Sequence, residues 1–285
     1  MRVGRSKIVL LTTLAMLAFA GNSILGRLAL KTTSIDPATY MSLRLISAAA
    51  MLTLILRFRA TPKPVAGNWL SALALFAYAV GFSLSYMNLT TGTGALLLFA
   101  AVQITMIGLS LWRGEKMSPL QILGIVIAFA GLVTLLLPSI DTPPLAASAL
   151  MIGAGVAWGI YSLRGRGAGD PTAVTAGNFL RTVPMTVIFS VLMISHMQIA
   201  NTGVIYALLS GAITSGVGYS IWYAALPLLK PLQASIVQLS VPIIAAFGGI
   251  IFAGEGLTLR LVLAATAVLG GILLVTLEKG RSAKF

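Results

Sequence analysis

The sequence contains ten apolar runs, and each is about as long as a helix that crosses the hydrocarbon core of a bilayer. Segments such as "ILGIVIAFAGLVTLLL" are apolar on every face, which excludes the alternating pattern of a membrane β-barrel. A soluble domain is roughly a quarter charged, whereas this chain is 9% charged and 58% hydrophobic. We therefore predict an all-α integral membrane protein with ten transmembrane helices. Their predicted limits are 8–30, 36–56, 68–88, 92–112, 119–138, 145–163, 172–195, 203–225, 231–253 and 257–277.

The first run also has features of a secretory signal, because a basic start precedes an apolar stretch and the small-residue sequence Ala18-Phe19-Ala20. The apolar stretch continues to Leu30 and has a partner run at 145–163, so we expect a retained helix. The chain contains no cysteine and one histidine, which leaves no disulfide, thiolate or metal cluster to build. We expect neither a metal nor another cofactor.

The formal net charge of +13 is best explained by membrane orientation. Lysine and arginine collect in cytoplasmic loops, and an N-terminus inside the cell places fourteen of the nineteen basic residues on that side. The opposite loops "NLTTGT", "PSIDTPP" and "SHMQIANT" contain no lysine or arginine. Both termini are therefore predicted to be cytoplasmic, beside the anionic inner leaflet of the lipid bilayer. We expect no nucleic-acid partner.

A weak internal repeat divides the chain after its fifth apolar run. At a spacing of 140 residues, Gly114-Glu115 aligns with Gly254-Glu255, and Gly131 aligns with Gly271. A proline-rich link separates the two copies. We assign five helices to each half, and the halves are residues 1–140 and 141–285.

The beginnings of the two halves correspond as well. Asp36-Pro37 is matched by Asp170-Pro171, a pair that starts helices because Asp caps the first turn and Pro fits its first position. Arg44 is matched by Arg181. Because five is an odd number, the second copy must enter the membrane upside down relative to the first, as in many secondary transporters. We predict two inverted five-helix repeats with a binding site near the bilayer midplane.

These features together resemble the EamA-type members of the drug/metabolite transporter superfamily, which consist of two five-helix repeats. The resemblance covers the whole chain. It depends on the early arginine of each half, the Gly-Glu turns at 114–115 and 254–255, and the Trp158-Gly159 pair. Within the superfamily the chain is most similar to the bacterial aromatic amino-acid exporter branch, the YddG-like proteins. This resemblance implies export of amino acids and related metabolites across the inner membrane.

Arg44 and Arg181 each lie early in an otherwise apolar run, so both need an explanation. A guanidinium can bind a substrate carboxylate through two hydrogen bonds. It can also snorkel or bond to the carbonyls of a helix end, and a position about a third of the way into the membrane makes this structural role tolerable. We favour the structural role and keep carboxylate anchoring as the alternative.

Four amides near the middle of predicted helices are better candidates for substrate contacts, because an amide can meet both an amino group and a carboxylate. Each could instead form a hydrogen bond between helices. No acidic residue lies mid-membrane in the predicted helices, so tight proton coupling and a dedicated cation pump are disfavoured. The four amides are Asn22, Gln103, Asn178 and Gln238.

Three aromatic residues are further candidates. Tyr78 lies centrally in its predicted helix, and Trp158 and Tyr161 are three positions apart on one helix face. They could hold an apolar or aromatic side chain, or an ammonium group through cation–π contact, and ordinary packing is the competing role. Four other aromatic residues at helix ends are predicted to be interfacial, namely Trp69, Trp112, Trp222 and Tyr223.

The sequence therefore predicts a secondary transporter that exports aromatic and other neutral amino acids by alternating access. A multidrug or quaternary-cation exporter, or an exporter of another small metabolite, is the alternative. A membrane enzyme is disfavoured because the predicted helices offer no cysteine, central histidine or buried acid. A scaffold or sensor would be expected to carry a soluble domain. A monomer is compatible with this plan, and the sequence leaves the oligomeric state open.

Overall fold

The structure is a computed structural model that describes residues 5–59, 63–112, 117–137, 142–165, 169–229 and 237–282. Within these residues all regular secondary structure is helical, and the long helices follow the order of the predicted apolar runs. They are α1 (Arg5–Thr32), α2 (Pro37–Arg57), α3 (Trp69–Ser85), α4 (Thr91–Trp112), α5 (Pro119–Leu136), α6 (Leu145–Gly165), α7 (Pro171–Leu192), α8 (Asn201–Leu228), α9 (Ser240–Ala253) and α10 (Leu259–Ser282).

Six of these helices, α1, α2, α4, α5, α6 and α8, are long and apolar enough to cross a membrane. The apolar segments of α3, α9 and α10 are shorter. Helix α7 is more polar because it contains Asn178, Arg181 and Pro184. The prediction of an all-helical chain with many apolar helices is confirmed for the described residues.

The two Asp-Pro pairs start helices as predicted. Asp36 is the N-cap of α2, and its Oδ1 accepts hydrogen bonds of 2.9 Å from the amides of Ala38 and Thr39. Asp170 is the N-cap of α7, and its Oδ1 accepts one of 2.9 Å from the amide of Ala173. Each carboxylate satisfies backbone donors that the first helical turn leaves without partners.

The helices pack in pairs that recur in the two halves. Helix α1 packs against α8 and α9, and α6 packs in the same way against α3 and α4. Helix α2 contacts α8, and α7 contacts α3. The pairs α2–α7, α4–α9 and α5–α10 join equivalent helices of the two halves. The helices of the two halves are therefore interleaved.

Glycines bring α5 and α10 into close contact. A Cβ atom added to Gly124 would lie 2.6 Å from the carbonyl oxygen of Gly271, and one added to Gly131 would lie 2.8 Å from the Cβ of Ala267. Such distances leave no room for a side chain, as expected where small residues let membrane helices approach each other. Gly131 and Gly271, which align in the internal repeat, thus lie at the same interface. Gly114-Glu115 lies outside the described residues.

Helix α8 differs from the predicted uniform helix 203–225. Its middle, Ser210–Val217, is π-helical, with a wider turn than an α-helix. A Cβ atom added to Gly211 would collide with the Arg44 carbonyl oxygen and the Ser47 hydroxyl, so the wide turn presses on the backbone of α2. This contact explains why the segment is rich in glycine.

The three tryptophans predicted to lie at the membrane interface differ in their exposure. Trp69 is 58% exposed and Trp112 is 86% exposed, so both lie on the outside of the bundle. Trp222 is only 7% exposed and packs edge-on against Phe19, with ring centroids 5.9 Å apart. The interfacial prediction is therefore wrong for Trp222, because α8 turns this face towards α1. Tyr223 is half-buried, 6.3 Å from the Tyr219 ring.

Candidate functional site

A small cavity lies where helices of both halves meet. Its walls come from α1, α3, α4, α6, α8 and the residues just before α9. The free space is about 30 Å³, which holds water but is too small for an amino acid. Four of the predicted site residues line it, namely Asn22, Tyr78, Trp158 and Gln238.

Aromatic rings form the largest part of the cavity wall. The Trp158 ring is 4.9 Å from Tyr78, 5.1 Å from Tyr161 and 5.3 Å from Tyr219, measured between centroids. The Phe19 ring is 5.5 Å from that of Tyr219. The rings of each pair are tilted against each other rather than stacked face to face, as aromatic pairs prefer. The wall is therefore a connected aromatic cluster, in which α1, α6 and α8 each contribute one lining ring and α3 contributes Tyr78 and Phe82.

Asn22 accepts three side-chain hydrogen bonds at the cavity. Its Oδ1 accepts from the hydroxyls of Ser210, Thr214 and Ser215 at 2.9, 2.6 and 3.3 Å. The Tyr40 hydroxyl in turn donates to the Ser210 hydroxyl at 3.0 Å. The π-helical turn places all three α8 hydroxyls on one side of Asn22. The amide oxygen thus holds α1 against α8, which is the interhelical role considered for such an amide.

Arg44 lies directly behind the aromatic wall and is 2% exposed. Its Nη2 donates to the Tyr78 hydroxyl at 2.8 Å. The guanidinium carbon stands 4.5 Å from the Phe82 ring centroid and 5.3 Å from that of Tyr78. Its Nε and Nη1 atoms are buried and have no hydrogen-bond partner among the described residues. A charged group in this state lacks compensation.

Arg181, the repeat partner of Arg44, has a different environment. Its Nη1 donates to the carbonyl oxygens of Ala66 at 2.9 Å and Gly177 at 2.8 Å. The side chain therefore ties α7 to the segment that connects α2 and α3. A structural role was the favoured prediction for both arginines. Arg181 does bond to backbone carbonyls, although not to those of a helix end, whereas the hydrogen-bond partner of Arg44 is the Tyr78 side chain.

Three predicted site residues do not line the cavity. Asn178 is buried, and its Oδ1 accepts a hydrogen bond of 2.9 Å from the backbone N–H of Asn68 at the start of α3. Tyr161 is buried behind the Trp158 ring. Gln103 is buried in α4, one turn beyond the lining residue Phe99. The sequence predicts that these residues are buried within the bundle. It does not predict whether a buried residue also lines the cavity.

Six lining residues were missed by the sequence analysis. A repeated segment could have indicated two of them, since "GFSLSYMNL" and "GYSIWYAAL" share four identities at the same spacing of 137 residues that separates Arg44 from Arg181. This alignment matches Phe82 with Tyr219, and both line the cavity. No motif distinguishes the others from ordinary packing residues. The six are Phe19, Ser23, Phe82, Leu98, Phe99 and Tyr219.

Ion pairs lie at both ends of the bundle. At one end, Arg27 of α1 meets Glu255, which follows α9. At the other end of the bundle, just after α2, Arg59 and Lys63 contact Asp170 at 3.0 and 3.4 Å. Partial burial by itself raises the pKa of Asp170. The Ala173 amide and the nearby positive charges outweigh this effect and lower the pKa below its ordinary value of 3.8. Asp170 is therefore ionised throughout the physiological range.

The sequence matches a known family of membrane transporters. The EamA-like transporter family matches twice, over residues 6–137 and 145–277. The chain belongs to this family. It is a family of transporters rather than enzymes, and the EamA-like chain is accordingly an integral membrane protein with several apolar helices long enough to cross a membrane.

Several relatives of this EamA-like chain are similar over different lengths. An uncharacterized protein of Pseudomonas aeruginosa is 50% identical over 97% of this chain and 97% of its own length. The threonine/homoserine exporter RhtA of Escherichia coli (strain K12) is 30% identical over 58% of each chain. An uncharacterized transporter of Archaeoglobus fulgidus is 25% identical over 86% of this chain and 90% of its own length.

A solved crystal structure has the same fold, with a TM-score of 0.67. It is 16% identical in sequence and covers 96% of this chain and 99% of the other. At this level of identity, the likeness concerns the fold alone. The same helical arrangement has thus been observed in the crystal structure of another protein.

Proposed function

We propose that this protein exports neutral amino acids, aromatic ones among them, and related small metabolites across the bacterial inner membrane by alternating access. The observation that carries the proposal is the cavity shared by the two halves, which combines aromatic rings with amides. An amide pair suits the amino and carboxylate groups of such a substrate. The distant RhtA relatives are threonine/homoserine exporters, which supports the same substrate class.

The proposed transport cycle depends on two inverted halves, residues 1–140 and 141–285, with both termini in the cytoplasm. The paired packing of α1 with α8 and α9, and of α6 with α3 and α4, supports this arrangement. The excess of basic residues in alternate loops supports the orientation. Cysteine-accessibility labelling of single cysteines added at residues 2 and 284 tests it, because labelling from opposite faces contradicts the proposal.

We assign different roles to the predicted site residues. The side chains of Tyr78 and Trp158 and the amides of Asn22 and Gln238 contact the substrate. A second set supports the wall from behind or joins helices, and we give this role to Gln103, Tyr161, Asn178 and Arg181. The cavity must widen for a substrate to enter, because its free space in this conformation is about 30 Å³.

A groove beside the cavity provides the proposed cytoplasmic route. It measures about 610 Å³ and lies between the first turns of α1, the end of α8 and the start of α9. Met16 of the groove is one helical turn from Phe19 of the cavity, and Val237 adjoins Gln238. Separation of α1 from α9 would therefore join the groove to the cavity.

Transport by the purified protein in liposomes tests the proposed function. We expect uptake of labelled phenylalanine and threonine, with rates that do not depend on a pH gradient, because no acidic side chain lines the cavity. Protein-free liposomes are the control. Transport of a quaternary cation without transport of either amino acid contradicts the proposal.

An exporter of organic cations is the second candidate. The aromatic cluster around Trp158 favours it, since stacked rings bind ammonium groups through cation–π contact. The positive charge of Arg44, immediately behind Tyr78, opposes it. The amino-acid proposal takes both features into account, because a zwitterion presents a carboxylate as well as an ammonium group.

A further inference from the structure

Arg44 carries a buried charge whose hydrogen-bonding capacity is largely unused. The side chain is 2% exposed, and among the described residues only its Nη2 has a hydrogen-bond partner, the Tyr78 hydroxyl. Two aromatic rings cover part of the guanidinium but cannot replace acceptors for the N–H groups of Nε and Nη1. A buried guanidinium with free N–H groups favours the binding of an anion.

No acidic side chain described by the structure supplies that anion. Asp36 caps α2 and accepts from the Gln198 amide. Asp170 is engaged by Arg59 and Lys63, and Glu255 by Arg27. The described carboxylates are thus committed to helix ends, and none of them contacts Arg44.

The unpaired guanidinium adjoins the central cavity. The two rings that flank it, Tyr78 and Phe82, both line that cavity. Tyr219, a third lining residue, is within electrostatic range of Arg44. The Tyr78 hydroxyl accepts from Arg44 and so keeps its own hydrogen available for a further acceptor. The Tyr78 side chain therefore stands between the guanidinium and the cavity space.

Asn22 presents a second donor at the same wall. Because its Oδ1 is held by the α8 hydroxyls, the amide nitrogen is directed away from them. Asn22 also lines the cavity. A Tyr40–Ser210–Asn22 chain of hydrogen bonds fixes this orientation, and Tyr40 lies one turn before Arg44 on α2. Donors, rather than acceptors, therefore predominate on this side of the cavity.

We propose that Arg44, Tyr78 and Asn22 form a carboxylate subsite, so that the transporter selects zwitterionic amino acids over amines, amides and quaternary cations. This inference rests on the proposed function and names the group by which its substrate is recognised. The carboxylate accepts from the Tyr78 hydroxyl and the Asn22 amide. It reaches the free N–H groups of Arg44 when the Tyr78 ring moves aside, while the ammonium group faces the rings of Trp158 and Tyr219.

Competition among matched ligands tests the subsite in liposomes that contain the purified protein. Unlabelled phenylalanine, phenylalaninamide and phenethylamine compete with labelled phenylalanine, and the threonine and threoninamide pair is measured in parallel. We expect each acid to compete at a concentration on the order of tenfold below that of its amide, because charge-assisted hydrogen bonds are lost with the carboxylate. Equal competition by acid and amide overturns the subsite but leaves the proposed function intact.

Two arginine variants form a matched comparison. In Arg44→Gln we expect the preference for acid over amide to disappear, with Arg44→Lys intermediate. In Arg181→Gln, whose arginine donates to carbonyls, we expect the preference to persist even where stability falls. A persistent preference in a folded Arg44→Gln protein overturns the subsite. If that variant does not fold, Arg44→Lys and the ligand series on the unmodified protein still decide the question.

A binding measurement separates failure of the subsite from failure of the proposed function. Thermal unfolding of the detergent-purified protein is followed with phenylalanine, with phenylalaninamide and without ligand. Stabilisation by the acid, but not by the amide, is the expected result even where transport is too slow to detect. Absence of phenylalanine flux contradicts the proposed function, and absence of acid-specific stabilisation overturns the subsite.

Discussion

Arg27 and Glu255 are 228 positions apart in the chain, yet the arginine Nε lies 2.8 Å from the Glu255 Oε1. The other carboxylate oxygen accepts from the Thr91 amide at 2.8 Å. The Arg27 Nη1 donates to the carbonyl oxygens of Tyr86 and Met87 at 3.0 and 3.1 Å. This buried ion pair therefore joins the ends of α1, α3, α4 and α9.

Removal of the Glu255 carboxylate is expected to destabilise the protein strongly. Glu255→Ala leaves the Arg27 charge without its counter-ion and the Thr91 amide without its acceptor, which costs about 3 kcal/mol for a buried pair. Chemical denaturation in detergent micelles measures the loss. Lys31→Gln, at an exposed position of the same helix α1, is the control and should change stability by less than about 0.5 kcal/mol. Equal stability of Glu255→Ala and the unmodified protein contradicts the assignment.

Two adjacent glycines of α10 are expected to respond in opposite directions. Gly271→Ala places a methyl group against the Gly124 carbonyl and Ala128, so overpacking of about 1–3 kcal/mol is expected. Gly270 has open space around its Cβ position, and Gly270→Ala should gain up to about 1 kcal/mol from helix propensity. Thermal unfolding of both variants makes the comparison. Destabilisation of the same size in both variants argues against close contact of α5 with α10.

Trp158 is expected to matter more for transport than the exposed Trp69. Trp158→Ala removes the ring that contacts Tyr78 and Tyr219 in the cavity wall. We expect a rise in the KM for phenylalanine on the order of tenfold, since aromatic contacts of this kind contribute about 1 kcal/mol beyond their buried area. Trp69→Ala should leave the KM unchanged. An unchanged KM for a folded Trp158→Ala protein removes this residue from the site.

The contribution of Asp170 to stability is expected to depend on pH. Its folded-state pKa is lowered relative to 3.8, so the carboxylate stabilises the fold above that value and loses its effect as pH falls through the folded-state pKa. Asp170→Asn should therefore be less stable than the unmodified protein at pH 7, and the difference should shrink in acid. The two unfolding curves, compared between pH 7 and pH 3, measure it. A difference that does not change with pH contradicts the ionic contribution.

Patterns local to the sequence predicted much of the fold. Apolar length indicated the helices, and Asp36-Pro37 and Asp170-Pro171 indicated two helix starts, because a cap needs only its own first turn. These features depend on neighbours in the chain, so they can be read without knowledge of the tertiary structure.

The roles of polar residues could not be predicted in the same way. Arg44 and Arg181 lie in similar local sequences, but the carbonyl of Ala66 reaches only Arg181. Asn22 and Asn178 are both buried amides, and their partners are 188 and 110 positions away. Distant segments decide whether such a side chain faces the cavity or another helix. The π-helical turn of α8 is also a tertiary feature.

The π-helical turn Ser210–Val217 allows α8 to change its winding inside a membrane, where lost backbone hydrogen bonds are costly. An extra residue per turn can pass along a helix when each amide exchanges its acceptor for the next carbonyl, without any amide being exposed to lipid. Such a displacement rotates the residues beyond it. For Tyr219 and Trp222, which follow this turn, rotation would change the aromatic surface facing α1 while the helix itself stayed intact.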